Sequence, residues 1–202
     1  MDYKTLNAHI GNIDLFLLDQ ILKGRFDAQM KILDCGCGEG RNLYYFLREG
    51  YDMFGVDKDA KALRMLHLWA KSFNIEAIGQ RFVQASLEKM PLEDEKFDAI
   101  LCLAVLHFAE SEDHFFAMLH EMTRLLRKDG ILLIGMLTDI ISTQNIKRIN
   151  SGSTHTSSSR FLLRHDHFQS IANSGIFEVV ENLRIHSEPG VQDMAYFVLK
   201  KK

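Results

Sequence analysis

Three glycines at alternate positions, Gly36, Gly38 and Gly40, stand between a short apolar run and a helical pattern. The run at 30–35 reads Met-Lys-Ile-Leu-Asp-Cys and suits a buried strand. The pattern at 41–49 brings Leu43, Phe46 and Leu47 to one face of a helix. Glycine is needed where φ turns positive or where a ligand approaches bare backbone. In open α/β sheets such a turn, beyond the carboxyl end of a strand, is where ligands bind. The rest of the chain must therefore supply further strands and crossover helices.

It does so by alternation. Further strands are expected at 52–56, 81–85, 97–103 and 131–137, and helices at 58–73 and 113–126, with a turn at Lys128-Asp129-Gly130. Strands separated by helices at this spacing predict βαβ units and a mostly parallel sheet covered on both faces. A helix at 165–173, stopped by Gly175, precedes two final strands at 177–185 and 194–199. The turn-like Ser187-Glu188-Pro189-Gly190 between them predicts an antiparallel hairpin at one sheet edge.

Two segments lie outside the alternation. Residues 1–24 are expected to form an appended N-terminal helix across the sheet or its ligand mouth. Its apolar residues, Ile10, Ile13, Leu17, Leu18, Ile21 and Leu22, recur every three or four positions, and Gly24 is a natural stop. Residues 142–160, rich in Ser, Thr and Asn, read as a long polar loop, either a passive connection or a lid over a site. No internal repeat or boundary divides the chain, so 1–202 is expected to be a single domain.

Composition narrows the function. Hydrophobic residues make up 47% and charged residues 25% of the 202, the balance of a chain with a packed core. The net charge of −3 offers no general field for a phosphate backbone, so nucleic-acid binding is disfavoured. A local basic patch would draw on Lys147, Arg148, Arg160 and Arg164. No signal peptide or membrane-length apolar run is evident, so a cytoplasmic protein with no membrane partner is expected. The three cysteines, Cys35, Cys37 and Cys102, fit neither a disulfide framework nor a zinc site, and no metal is expected.

The glycine spacing also discriminates between ligands. A dinucleotide fingerprint is G-x-G-x-x-G; here the pattern is G-x-G-x-G, preceded by Asp34. A pyrophosphate would be repelled by that carboxylate, whereas an ammonium group would pair with it. A second acid, Asp57, closes the second strand 17 residues after Gly40. There it can accept hydrogen bonds from both ribose hydroxyls, a role shared by NAD and S-adenosylmethionine sites.

Asp34-x-Gly-x-Gly-x-Gly40 followed by Asp57 resembles the class I S-adenosylmethionine-dependent methyltransferases. Phe97-Asp98-Ala99-Ile100 with Val105-Leu106-His107-Phe108, and then Leu125 to Ile134, resemble that family's fourth strand, the loop after it and its approach to the fifth strand. The compact small-molecule enzymes of methyltransferase type 11, including tellurite-resistance and ubiquinone/menaquinone types, are the nearest in kind. The resemblance implies a Rossmann-like, doubly wound, seven-stranded, mostly parallel sheet with an antiparallel last strand. It implies S-adenosyl-L-methionine as cofactor. Gly36, Cys37 and Gly38 would then pack against its methionine part, Asp34 would hold its ammonium and Arg41 could meet its carboxylate. Asp57 would take the ribose and Lys58 would flank the adenine. Ser86 and Leu87 stand where the family often has an acid reading the adenine amino group, so Ser86 is a departure. Cys102 and Leu103 would lie beneath the sulfonium.

Methyl transfer from a sulfonium needs alignment and exclusion of water, with a base only when the acceptor is protonated. His107, just beyond the fourth strand, is the candidate catalytic base or substrate-orienting group, with a structural role as the alternative. His9, Asn12 and Arg160 are weaker substrate-side candidates. Trp69 and Met65, at helical spacing, are expected in the core. A small-molecule acceptor is favoured, because no Asn-Pro-Pro-Tyr-like sequence follows the fourth strand and no extra domain grips a polymer. The alternatives are a protein or RNA methyltransferase, which would show a basic groove beside the glycine loop, and a non-catalytic S-adenosylmethionine binder, which would have its acceptor mouth plugged. The oligomeric state is left open by the sequence.

Overall fold

A computed structural model describes residues 2–73, 75–140, 160–188 and 190–202. In chain order the elements are α1 (Tyr3–Ile10), α2 (Leu15–Leu22), β1 (Lys31–Cys35), α3 (Leu43–Arg48), β2 (Asp52–Asp57), α4 (Ala60–Ala70), α5 (Ile78–Arg81), β3 (Phe82–Gln84), β4 (Phe97–Leu103), α6 (Glu112–Leu125), β5 (Leu126–Leu137), α7 (His165–Ala172), β6 (Phe177–His186) and β7 (Met194–Lys201). One seven-stranded sheet has the order β3-β2-β1-β4-β5-β7-β6. β1 to β5 run parallel where they pair, and β7 runs antiparallel to both β5 and β6. The expected doubly wound sheet with a reversed last strand is therefore present.

Alternation along the strands builds a core on each face of the sheet. Leu33, Ile100 and Phe197 pack with Phe115 and Met122 of α6 and Ile171 of α7. Ile32, Leu101 and Val198 pack with Leu17 of α2, Phe46 of α3 and Leu66 of α4. β4 is buried at every position, as a central strand covered on both faces must be. The sheet order reverses between β1 and β4, so the loops leaving those strands diverge and open a crevice at their carboxyl ends.

The opening segment differs from its expectation. Its apolar spacing suits one helix, but the chain breaks it into α1 and α2. Gly11 adopts φ 66° and ψ −151°, a conformation for glycine alone. Asp14 then caps α2 by accepting from the backbone N–H of Phe16 (2.9 Å) and Leu17 (3.3 Å). α2 buries Phe16, Leu17 and Gln20 and lies over β6, held by Glu181, which pairs with Lys23 at 2.7 Å, Arg25 at 2.6 Å and Arg184 at 2.9 Å.

Smaller corrections have equally local causes. The helix expected at 58–73 starts later because Asp59 caps it, and it ends in a tighter turn at Lys71–Phe73. A short helix, α5, precedes β3, which spans three residues only. Met65 is exposed at 50%, so its place in the core is withdrawn. Lys128-Asp129-Gly130 is a bulge within β5: Phe97 pairs with Leu126 and Ala99 with Ile131, and Asp129, at φ 62°, reaches Lys200 at 2.8 Å. The 142–160 loop up to residue 159, with Lys147 and Arg148, lies outside the described residues, as does Pro189. No described helix is long and apolar enough to cross a membrane.

Candidate functional site

The glycine loop is latched onto the end of β2. The N–H groups of Gly36 and Cys37 both donate to the Val56 carbonyl, at 2.7 and 3.1 Å. The Gly38 N–H donates to Asp57 Oδ2 at 2.7 Å. These three N–H groups are thus committed internally, so the loop does not offer the row of donors that a pyrophosphate needs. Gly36 has φ +76°, and a Cβ there would stand 2.4 Å from Val105 Cγ2. At Gly40, φ +89°, a Cβ would meet Trp69 at 2.4 Å. The Trp69 indole N–H donates to the Glu39 carbonyl at 2.7 Å, so this tryptophan braces the loop from α4.

Asp34 sits at the base of the loop, 2% exposed, and among the described residues no donor bonds its carboxylate. Burial pushes its pKa up to about 7, against the pull of Arg41 and with added repulsion from Asp57. An unpaired buried carboxylate is costly, and its retention points to a cationic partner. Asp57 Oδ1 accepts from the Asp59 N–H at 2.8 Å, and each of its oxygens keeps a lone pair for a further donor.

Asp57 and Gly36 line a cavity of about 470 Å³, with Lys58, Ser86, Leu87 and Val105. Cys37 turns its sulfur toward Gly55, where a Cβ would lie 2.8 Å away, and does not line the cavity. Cys102 is fully buried and Leu103 nearly so; neither lines the cavity. Burial raises the thiol pKa of Cys35, Cys37 and Cys102, keeping them as neutral packing groups.

Residues passed over in the sequence complete this cavity. Glu88, Glu110 and His114 form one end of it. The Glu110 N–H donates to His114 Nδ1 at 3.2 Å, leaving Nε2 to donate to Glu88 Oε2 at 3.3 Å. Burial pushes the Glu88 carboxyl up, but its own backbone N–H, His114 and Ser86 outweigh this and hold it below the ordinary value. The only sequence signal for Glu88 is an acid two residues after Ser86, the position lacking the family acid.

His107 stands behind the cavity wall. It is 8% exposed and its ring packs on Phe108, 4.7 Å between centroids, while Phe108 itself lines the cavity. Among the described residues its Nδ1 has no hydrogen-bond partner. Burial and the nearby Arg160 hold its pKa down to about 4, so it is a neutral imidazole at pH 7. The Arg160 guanidinium lies 3.9 Å from the centre of the Phe108 ring. Arg164 pairs with Glu112 (3.0 Å) and Asp166 (3.1 Å).

A second cavity, about 630 Å³, opens beneath the start of α2 and is lined by Asn12, Asp14, Phe16, Arg41, Arg184 and Tyr196, among others. Asn12 thus falls in this cavity, whereas His9 pairs with Glu49 at 3.1 Å and lines neither cavity. Arg41 reaches only to 3.7 Å from Asp14. Asp34 itself lines neither cavity, but the charges that act on its carboxylate come from both: Arg41 lines one and Asp57 the other.

A family model described as a methyltransferase domain matches residues 33–134, half of the chain and the whole stretch from β1 into β5. The chain belongs to the class I S-adenosylmethionine-dependent methyltransferases. Among its relatives in this superfamily is the uncharacterized methyltransferase YodH of Bacillus subtilis, 34% identical over 131 residues, 65% of this chain and 53% of that one. A ubiquinone biosynthesis O-methyltransferase of Rickettsia bellii is 24% identical over 87% of this chain and 76% of its own length. The chain spans about half the length of the first curated relatives it matches. The fold of the magnesium protoporphyrin IX methyltransferase from Synechocystis, crystallised with S-adenosylhomocysteine, superposes with a TM-score of 0.69 at 15% identity, covering 100% of this chain and 89% of that one.

The methyl donor of this class fits the residues present. S-adenosylmethionine carries an ammonium for the unpaired Asp34, two ribose hydroxyls for Asp57, and no phosphate for which the loop N–H groups would have to be free. The methyltransferase loop therefore presents bare glycine backbone and two carboxylates, not an anion cradle.

Proposed function

We propose that the chain transfers the methyl group of S-adenosylmethionine to a small-molecule acceptor. The observation that carries this reading is the buried, unpaired Asp34 carboxylate at the base of a glycine loop whose N–H groups are already committed. The relatives named for small-molecule substrates support it, as does a second cavity large enough for an acceptor of modest size.

When bound, S-adenosylmethionine supplies a methyl group already activated by its sulfonium. This chain's residues bind and orient. Asp34 pairs with the ammonium of the methionine part, while Gly36, Cys37 and Gly38 give it bare backbone to lie on. Asp57 accepts from the ribose hydroxyls and Lys58 flanks the adenine. Leu87 packs on the adenine, and Ser86 with Glu88 accepts from its amino group. Cys102 and Leu103, buried at the end of β4, line neither cavity and serve as packing behind the site. His107 acts by position: a neutral imidazole with a pKa of about 4 is a poor base at pH 7, but it backs Phe108 against the cavity.

Calorimetric titration with S-adenosylmethionine tests the assignment. Asp57→Ala is expected to weaken binding by about a hundredfold, the scale of two hydrogen bonds to a charged acceptor, with the far-UV circular dichroism unchanged. Undiminished affinity would remove the ribose site from Asp57.

A further inference from the structure

The second cavity is chemically more specific than its size. Tyr196 belongs to β7 and pairs in register with Gly135 of β5. Because Gly135 has no side chain, the Tyr196 ring lies across it: a Cβ there would be 2.6 Å from Tyr196 Cε1 and 3.0 Å from Leu103 Cδ2. The ring thereby leans toward Leu103 at the carboxyl end of β4. It packs against Phe16 of α2, 4.9 Å between centroids, and these two rings with Ile13 and Ile185 make an apolar wall.

The polar groups at this wall divide sharply. Asp14 is spent capping α2, and Asp19 is bonded to Lys23 at 2.6 Å and Arg184 at 3.0 Å. Arg184 also pairs with Glu181 at 2.9 Å. By contrast, neither the Arg41 guanidinium nor the Tyr196 hydroxyl makes a hydrogen bond among the described residues, and Arg41 lies only 3.7 Å from its nearest carboxylate oxygen. Both are donors. Burial, with the Asp14 charge added and Arg41 opposing, raises the Tyr196 phenol to about 12, so it keeps its proton.

Two unspent donors beside an apolar aromatic wall call for a flat apolar molecule bearing an acidic oxygen. We infer that this cavity is the acceptor site and that Tyr196, with Arg41, selects an aromatic acid there, holding its carboxylate or phenolate oxygen while Phe16 and Tyr196 flank its ring. The inference rests on the methyltransferase reading and deepens it, since it names the acceptor class for that same reaction.

The experiment uses the full chain saturated with S-adenosylhomocysteine, titrated with 2-naphthoate and with neutral 2-naphthamide. The acid is expected to bind at least tenfold more tightly than the amide. Tyr196→Phe is expected to weaken naphthoate about tenfold, one hydrogen bond to a charged group, while S-adenosylhomocysteine affinity stays the same. Arg41→Gln should erase the preference for acid over amide. Equal affinity for acid and amide, or an unchanged naphthoate affinity in Tyr196→Phe, overturns the acceptor class while leaving the cofactor site standing. Absence of S-adenosylhomocysteine binding in the unaltered chain brings down both.

Discussion

Asp34 works against the fold that contains it, and the size of that effect can be worked out. A carboxyl that ionises near pH 7 in the folded chain and near 3.8 in the unfolded chain binds more protons when folded across that interval. Stability therefore falls as pH rises from about 4 to 7 and levels off above it, the reverse of the usual carboxylate pattern. At 1.36 kcal/mol per pH unit the full cost is about 4 kcal/mol, of which more than half develops between pH 5 and 8. Asp34→Asn keeps the shape and removes the titration. Relative to the unaltered chain, the variant should gain about 2 to 3 kcal/mol between pH 5 and 8, measured as the difference in urea unfolding free energy at the two values. At pH 8 it should be the more stable protein even after about 2 kcal/mol is lost to an imperfectly bonded buried amide. The same variant should lose S-adenosylmethionine affinity, because the ammonium loses its counter-ion. In the unaltered chain that affinity should climb up to about tenfold per pH unit below 7 and flatten above, as Asp34 ionises. A stability difference independent of pH, or a cofactor affinity flat from pH 5 to 8, would refute the claim that the fold tolerates an unpaired carboxylate for a cationic ligand.

Gly36→Ala places a Cβ against Val105 at positive φ; it should destabilise the chain by about 2 kcal/mol in urea unfolding, with Val105→Ala recovering only the steric part. A melting point equal to that of the unaltered chain would show that the loop relaxes freely. Glu88→Gln should weaken S-adenosylhomocysteine about tenfold and leave its inosine analogue unaffected, since the analogue lacks the amino group that Glu88 accepts from; parallel losses for both ligands would move Glu88 out of the adenine site. His107→Gln should lower kcat no more than about tenfold with no shift of the kcat pH profile, as a group already neutral above pH 5 contributes no ionisation there. A profile that loses a limb in this variant would restore His107 as the base.

Much of the site was legible because it is local. Asp34 and the three glycines lie within seven consecutive residues, and their spacing together with the Asp34 charge favoured an ammonium-bearing ligand over a pyrophosphate. Asp57 was legible because a strand end is a readable position. The residues that escaped notice reach the cavity across the fold. His114 matters because it bridges the Glu110 backbone and Glu88, and Tyr196 because it faces Gly135 on a neighbouring strand. Arg41 was assigned to the cofactor from its place in the turn, yet it lines the second cavity, a fact that depends on where α2 comes to rest. The single opening helix was misread for a related reason. Apolar spacing at Ile10, Ile13, Leu17 and Leu18 records which side faces the protein, and two short helices joined by Gly11 can share one buried side as well as one long helix can.

From its own order of residues the chain determined the alternation of strand and helix, the glycine turn and the two acids that flank it, because hydrophobic period and backbone conformation act over a few neighbouring positions. Only the tertiary structure decided that Asp34 is buried without a partner among the described residues, that the loop N–H groups are consumed by β2, and that Tyr196 leans over a glycine into a second cavity. Burial and register join residues far apart in sequence. The energy of a charge or a hydroxyl depends on those neighbours, not on its position in the chain.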